Sequence, residues 1–277
     1  MRMGEGVAVS DTTAISDEEF SRFQRLLHRI TGISLRPEKK ALVCGRLAKR
    51  LRAHGFAGYD EYFALITSGR VPQELQVAID QLTTNETHFF REPRHFDFLR
   101  QQVAANARPG RLYRVWSAAC STGEEPYSIA MVLADCLGDG PWEVVASDIS
   151  TRVLEKARIG HYPIERAKNI PQPYLKAYCL KGIGRQHDTF LIDKDLRNRV
   201  QFMQINLNES LPRVGEFDVI FLRNVMIYFG METKRLVLSR LLPLLKPGGY
   251  FIVGHSESLN GIVDGLNLVA PATYEKT

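Results

Sequence analysis

Four apolar runs in this chain end in polar residues of the kind that hold a small ligand. Trp116-Ser-Ala-Ala-Cys-Ser-Thr-Gly-Glu-Glu-Pro126 passes from apolar to small residues and then to two adjacent carboxylates. Gly123 and its small neighbours let the backbone approach a ligand closely. The stretch is not G-x-G-x-x-G, and a carboxylate pair would repel a phosphate. It suits a cationic or amine-bearing ligand, or simply a helix start, where Glu is favoured. Ala146-Ser-Asp148 ends the second run, and its carboxylate can accept two ribose hydroxyls or cap a helix. The third and fourth runs end in Asn206 and in Arg223-Asn224, whose amides can pair with an adenine edge. Each signal is weak alone, and four together are hard to assign to chance. A further string, Thr83-Thr-Asn-Glu-Thr-His-Phe-Phe-Arg91-Glu92, begins as a loop and carries two phenylalanines suited to a core. Arg91 is either a solvated charge or a bidentate grip on a carboxylate.

Such ends meet when the runs are parallel strands, because open α/β sheets bind ligands at the carboxyl ends of their strands. The spacing predicts strands over Leu112–Ser117, Trp142–Ser147, Val200–Ile205, Phe217–Leu222 and Tyr250–Gly254. Helices fall between them over Glu125–Leu137, Thr151–Ile159 and Met231–Leu245. Residues 161–198 break that rhythm with Pro163, Pro171, Pro173, Gly182 and Gly184. They read as an inserted β-subdomain with a short hairpin around Thr189–Ile192. The first ninety residues read as helical without a strand. Ser16 and Glu19 fit a capping box, with Phe20, Phe23, Leu27 and Ile30 following at helical spacing and Gly32 as the stop. A second helix begins near Pro37 with Val43, Leu47 and Leu51 on one stripe, and residues 59–66 and 72–82 form two more. The expected division is a tail over 1–15, a helical domain and linker over 16–84, and a sheet domain over 85–277 holding the insert.

A chain of 277 residues can bury a self-sufficient core without disulfide or metal staples. Cys44, Cys120, Cys136 and Cys179 show neither C-x-x-C nor zinc-ligand spacing. They read as reduced thiols of a cytoplasmic protein, and no metal is expected. No apolar run is long enough to span a bilayer, which argues against membrane insertion. The formal charge of +5 leans modestly toward an acidic partner. It is concentrated on the second helix, where Lys39, Arg46, Lys49 and Arg50 share roughly one face, either solvated or for docking. No aromatic platform is interleaved with them, which counts against single-stranded RNA and nucleic acid as a partner.

Taken in order, Thr83–Glu92, Trp116–Ser128, Ala146–Asp148, Arg223–Phe229, Leu244–Gly249 and Gly254–Ser258 resemble the CheR family of chemotaxis receptor methyltransferases, from about Ser16 to Tyr274. The resemblance implies a Rossmann-like class I S-adenosylmethionine-dependent methyltransferase sheet with a small antiparallel β-subdomain inserted, preceded by a small all-α domain. It implies methylation of receptor glutamates to methyl esters, with S-adenosylhomocysteine as product. Carried over by motif, Asn85, Thr87 and Arg91 surround the methionine end of the cofactor and Glu125 meets its amino group. Asp148 holds the ribose, Asn206 and Leu207 line the adenine, and Asn224 and Val225 lie alongside. Arg91 positions the substrate carboxylate, and Tyr228 either approaches the reaction centre or is an aromatic in a buried turn. His255 is expected as a satisfied core histidine. The resemblance turns Lys39, Arg46, Lys49 and Arg50 into a docking face for the receptor's cytoplasmic helical region. In some relatives the β-subdomain also binds a C-terminal receptor peptide, for which Gly182–Ile192 could serve. The competing readings are a methyltransferase for RNA or a small molecule and a non-catalytic S-adenosylmethionine-binding regulator.

Overall fold

The computed structural model describes residues 14–277. The expected tail over 1–15 lies almost wholly outside the described residues. The chain divides into two compact units, one running to Ile30 and continuing over Ser34–Leu82, the other formed by Thr31–Ile33 and Thr83–Thr277.

The first unit carries α1 (Asp17–Thr31), α2 (Lys40–His54), α3 (Tyr59–Thr67) and α4 (Pro72–Leu82). The capping box forms as its residue types dictate: Glu19 N–H donates to Ser16 Oγ at 3.1 Å, and Ser16 N–H to Glu19 Oε2 at 2.8 Å. Phe23, buried on α1, packs edge-on to Phe63 and Tyr59 and stacks on Tyr62. Val43, Leu47 and Leu51 bury the expected stripe of α2. Glu74 is a buried carboxylate at the centre of this unit. Arg50 reaches it through Nε at 2.8 Å and Nη2 at 2.6 Å, and Tyr62 donates its hydroxyl at 2.7 Å. His54 Nε2 lies 3.2 Å away.

The second unit begins with α5 (Arg94–Asn106) and continues through β1 (Tyr113–Ser117), α6 (Glu124–Leu137), β2 (Trp142–Asp148) and α7 (Thr151–Ile159). Next come β3 (His161–Pro163), α8 (Gln172–Tyr178), β4 (Cys179–Lys181), β5 (Thr189–Ile192), α9 (Lys194–Asn198) and β6 (Val200–Gln204). It closes with β7 (Phe217–Leu222), α10 (Met231–Leu241), β8 (Leu245–Val253), β9 (Leu266–Ala270) and β10 (Thr273–Lys276). Seven strands lie in the order β6-β2-β1-β7-β8-β10-β9. The first five are mutually parallel, and β10 runs antiparallel to both neighbours. Both faces are buried: Val115, Val144 and Val219 join one core cluster, Trp116, Val145 and Ile220 the other. That is why the central strands β1, β2 and β7 run through consecutive apolar residues after a single charged one, Arg114, Glu143 and Asp218. The insert forms a three-stranded antiparallel sheet in the order β3-β5-β4.

Two boundaries differ from the sequence expectation by more than one residue. The helix predicted to reach Leu245 stops at Leu241, where Pro243 permits only a short 3-10 turn over Leu242–Leu244. Strand β8 starts five residues earlier than predicted. Its Pro247-Gly248-Gly249 segment is absorbed by an irregularity in pairing with β7 between Phe217 and Val219. The β9–β10 hairpin is not among the predicted elements; β9, Leu-Asn-Leu-Val-Ala, is a largely exposed strand at the sheet edge.

Burial pushes the Glu74 carboxyl up, but Arg50, Tyr62 and His54 outweigh it and hold it below its ordinary 4.5. A carboxylate depressed on folding contributes stability that is present above that ordinary value and lost as pH falls through the lower folded one. Glu74→Gln should cost about 2–3 kcal/mol at neutral pH and reduce the acid sensitivity of this unit below about pH 4.5. Amide-exchange protection of α2 and α4 measures both. Unchanged protection would deny Glu74 this role.

Candidate active site

From β1 the sheet grows through β2 and β6 on one side and through β7 and β8 on the other, so the strand order reverses between β1 and β7 and a crevice opens there at the carboxyl edge of the sheet. After β1 the chain turns tightly through Ser121, at φ +50°, and Gly123, at φ +98°. A Cβ on Gly123 would lie 2.8 Å from Tyr162 Oη and 2.9 Å from Ala157 Cβ, so only glycine closes this turn. Ser121 N–H donates to Asp148 Oδ2 and Ser150 N–H to Asp148 Oδ1, each at 2.9 Å. These bonds fix the buried carboxylate at the end of β2.

Glu125, in the first turn of α6, accepts the Ser117 hydroxyl at 2.7 Å and Arg223 Nη1 at 2.9 Å. Burial pushes its carboxyl up, against the opposing pull of Arg223 and Ser117. Arg223 follows β7 with a side chain only 1% exposed. Its Nη2 donates to Glu92 Oε2 at 3.0 Å and to the Arg91 carbonyl. One guanidinium therefore ties the two sides of the crevice to the Thr83–Glu92 segment. That segment is held at further points: Ser121 Oγ donates to the Asn85 carbonyl at 2.8 Å, Arg166 Nη1 to the Thr87 carbonyl at 2.7 Å, and Phe90 N–H to Ser128 Oγ at 3.0 Å. Phe90 and Glu92 take φ of +52° and +59°, a left-handed conformation costly for residues with a Cβ. The contacts just named supply the compensation.

Glu92 and Glu257 organise the neighbouring strand ends. Asn224 Nδ2 and His255 N–H donate to Glu92 at 3.2 and 3.1 Å. Glu257 accepts the backbone N–H groups of Asn224 and Gly254, both at 2.7 Å, and of Ile227 at 3.2 Å. Gly254 has no room for a Cβ, which would meet Glu257 Oε2 at 2.9 Å and the Asn224 amide.

The structure brings Arg91, Glu125, Asp148, Asn206 and Asn224 to this one edge. Asn85 and Thr87 lie on the tethered segment. Asn206 lies just beyond β6, after Ile205, whose N–H donates to the Asp148 carbonyl at 3.1 Å; the Asn206 side chain forms a local turn with Asn208 and Glu209. Leu207 is buried and Val225 half-buried. Tyr228, half-buried at the end of a 3-10 turn, makes no hydrogen bond through its hydroxyl among the described residues. Arg91 donates Nη1 to the Glu86 carbonyl at 3.1 Å, its one side-chain acceptor among the described residues. His255 is not a core histidine: its side chain is 47% exposed, because β8 has already ended at Val253.

In the helical unit the four basic residues separate. Lys39 and Lys49 are exposed. Arg46 donates to the Gln81 carbonyl at 3.1 Å, and Arg50 is turned inward to Glu74. The helical repeat puts Arg50 near the surface face, but a buried carboxylate on α4 draws it in.

Family models for the CheR methyltransferase all-alpha domain and its SAM-binding domain match residues 18–83 and 85–274. The chain belongs to the CheR methyltransferase family. It is 44% identical to a chemotaxis protein methyltransferase of Salmonella typhimurium, covering 94% of this chain and 91% of that protein. It is also 44% identical to that of Escherichia coli, over 96% and 93%. To chemotaxis protein methyltransferase 2 of Pseudomonas aeruginosa it is 46% identical, over 87% and 86%. Among solved structures, the N-methyltransferase NodS of Bradyrhizobium japonicum, in complex with S-adenosyl-L-homocysteine, is 15% identical over 61% of this chain and 63% of that one, with a TM-score of 0.35.

This CheR family member is thus an S-adenosylmethionine-dependent methyltransferase with the expected class I fold. The donor set fits that cofactor: a buried carboxylate beside the switch point suits an ammonium, and a backbone-anchored carboxylate at the next strand end suits a diol. Sequence reasoning missed Glu92, Arg223 as a cation, and Glu257. The signal available for Arg223 was a charged residue directly after an apolar strand. For the two acids the only hint was their place inside the quoted motifs.

Lysine at 223 keeps the charge but cannot span Glu125, Glu92 and the Arg91 carbonyl together. Arg223→Lys should weaken S-adenosylhomocysteine binding by about tenfold or more, read by titration calorimetry. Affinity within twofold of the parent would contradict the bridging role.

Proposed function

We propose that this protein methylates glutamate side chains on the cytoplasmic helical region of chemotaxis receptors, serving sensory adaptation from the cytoplasm. The observation that carries the reading is the meeting of Glu125 and Asp148 beside adjacent strand ends, next to the tethered Arg91 segment, in a chain related to chemotaxis protein methyltransferases over nearly its whole length. No helix among the described residues is long and apolar enough to cross a membrane.

In this reading Glu125 takes the cofactor's ammonium, Asp148 its ribose, and Asn206 with Leu207 its adenine. Asn85, Thr87, Asn224 and Val225 complete the lining, and Tyr228 borders the reacting atoms. Bound S-adenosylmethionine supplies an electrophilic methyl group on a sulfonium. A substrate glutamate, with an ordinary pKa of about 4.3, is already an anion at neutral pH, so no general base is required. The chain's work is alignment, which can be worth roughly 7–11 kcal/mol in favourable cases, and exclusion of water, which favours combination of opposite charges. Arg91 has guanidinium donors to spare beyond its bond to Glu86 and grips the carboxylate. It cannot act as a base.

Receptor docking falls to Lys39 and Lys49, since Arg50 is engaged with Glu74 and Arg46 with Gln81. A receptor tail peptide adding a strand beside β4, where Leu180 and Ile183 are exposed, would be a tether that raises local concentration.

Incubation with labelled methyl donor and receptor membranes, RNA, or neither separates this reading from an RNA methyltransferase and from a non-catalytic regulator. Base-labile label on the receptor is the expected outcome, and label on RNA or none at all would refute it. Arg91→Ala should cut turnover by about a hundredfold while S-adenosylhomocysteine affinity changes far less; turnover within twofold would remove Arg91 from the mechanism. Lys39→Glu with Lys49→Glu should slow receptor methylation by about tenfold at low salt without altering cofactor affinity. Equal rates would place docking elsewhere.

A further inference from the structure

We propose that Glu92, His95 and His255 form an inhibitory binding site for a zinc-class divalent cation. His95 lies in the first turn of α5 and is only 2% exposed; the Pro271 backbone lies beside its ring, yet neither ring nitrogen makes a hydrogen bond of normal geometry among the described residues. Buried polar atoms are almost always satisfied, and an orphan points to a missing ion or water. Its Nδ1 lies 3.4 Å from Glu92 Oε2. His255 comes from the far end of the chain, its ring edge-on to His95 at 4.8 Å between centroids and its Nε2 4.0 Å from the same oxygen. One ligand atom from each residue falls within 4.8 Å of the others. Tetrahedral zinc with metal–ligand distances near 2.0–2.1 Å places its ligands about 3.3 Å apart. The first pair is therefore nearly in place, and the half-exposed His255 can close the remainder by rotation.

The donor set fixes the class of ion. Two imidazoles and one carboxylate suit zinc and its first-row neighbours rather than magnesium or calcium, with a fourth position left for water. Arg223 also pairs with Glu92, but it is shared with Glu125, so two carboxylates face one guanidinium. A carboxylate has about four lone-pair sites; Glu92 Oε2, the oxygen nearest both imidazoles, already accepts Arg223 Nη2 and His255 N–H, and Oε1 accepts Asn224. A bound cation would compete with Arg223 for Glu92 and loosen the bridge that positions Glu125. The site escapes motif reading because His255 lies far along the chain from the other two.

The test uses the full-length protein, with cobalt(II) absorption and zinc(II) competition against a chromophoric chelator. His255→Ala removes an exposed ligand, and its melting temperature checks that the fold is intact. The expected result is a single saturable site in the parent, weakened by about tenfold or more in the variant. Zinc should lower S-adenosylhomocysteine affinity by about fivefold in the parent and not in the variant. No saturable binding, equal binding by the variant, or cofactor affinity indifferent to zinc would each overturn the proposal.

Discussion

A single guanidinium, Arg223, reaches Glu125 at 2.9 Å, Glu92 at 3.0 Å and the Arg91 carbonyl while its own side chain is almost wholly buried. Removing one partner from such a group leaves an uncompensated charge in a poor solvent, at a cost of about 3–5 kcal/mol. The first turn of α6, the end of β7 and the Thr83–Glu92 segment are thereby committed to one arrangement. The parallel order of β2, β1 and β7 places these ends side by side, and the buried charge then determines how they are joined.

That constraint explains why strained backbone persists at the site. Phe90, Glu92, Ser121 and Asn224 all take positive φ, and each is in or beside a residue bonded to a carboxylate, Arg223 or Ser128. Glu257 plays the complementary part, collecting three backbone N–H groups that no strand can use. Charge and dipole networks, rather than apolar packing, set the geometry above the sheet, while two apolar clusters set the sheet itself. The helical unit repeats the device with Glu74 as its buried acceptor.

Much of this was legible in the residues. The central strands are buried on both faces and mostly apolar, so β1, β2 and β7 stand out in the sequence, and so do the polar residues at their ends; the edge strand β6 is more polar, with only Val200 buried. Thr151–Ile159 emerged at its observed limits because Ser150 and Gly160 bracket it. What remained hidden depends on distant partners. The bond between Arg223 and Glu92 joins positions 131 residues apart, and the inward turn of Arg50 needs a carboxylate on another helix. Strand β8 extends beyond its apolar part because proline and glycine, which ordinarily end strands, are accommodated by an irregular pairing with β7. His255, read as core from its place after a strand, is exposed because the strand gives out two residues before it.

A double-mutant cycle on Arg223→Met and Glu92→Gln, read as affinity for S-adenosylhomocysteine, addresses the shared guanidinium most directly. If Arg223 binds the segment to the sheet edge through Glu92, the two substitutions should fall short of additivity by about 1–3 kcal/mol. Additivity within about 0.5 kcal/mol would mean that the two act independently, and that the cofactor crevice is assembled by something other than this buried charge.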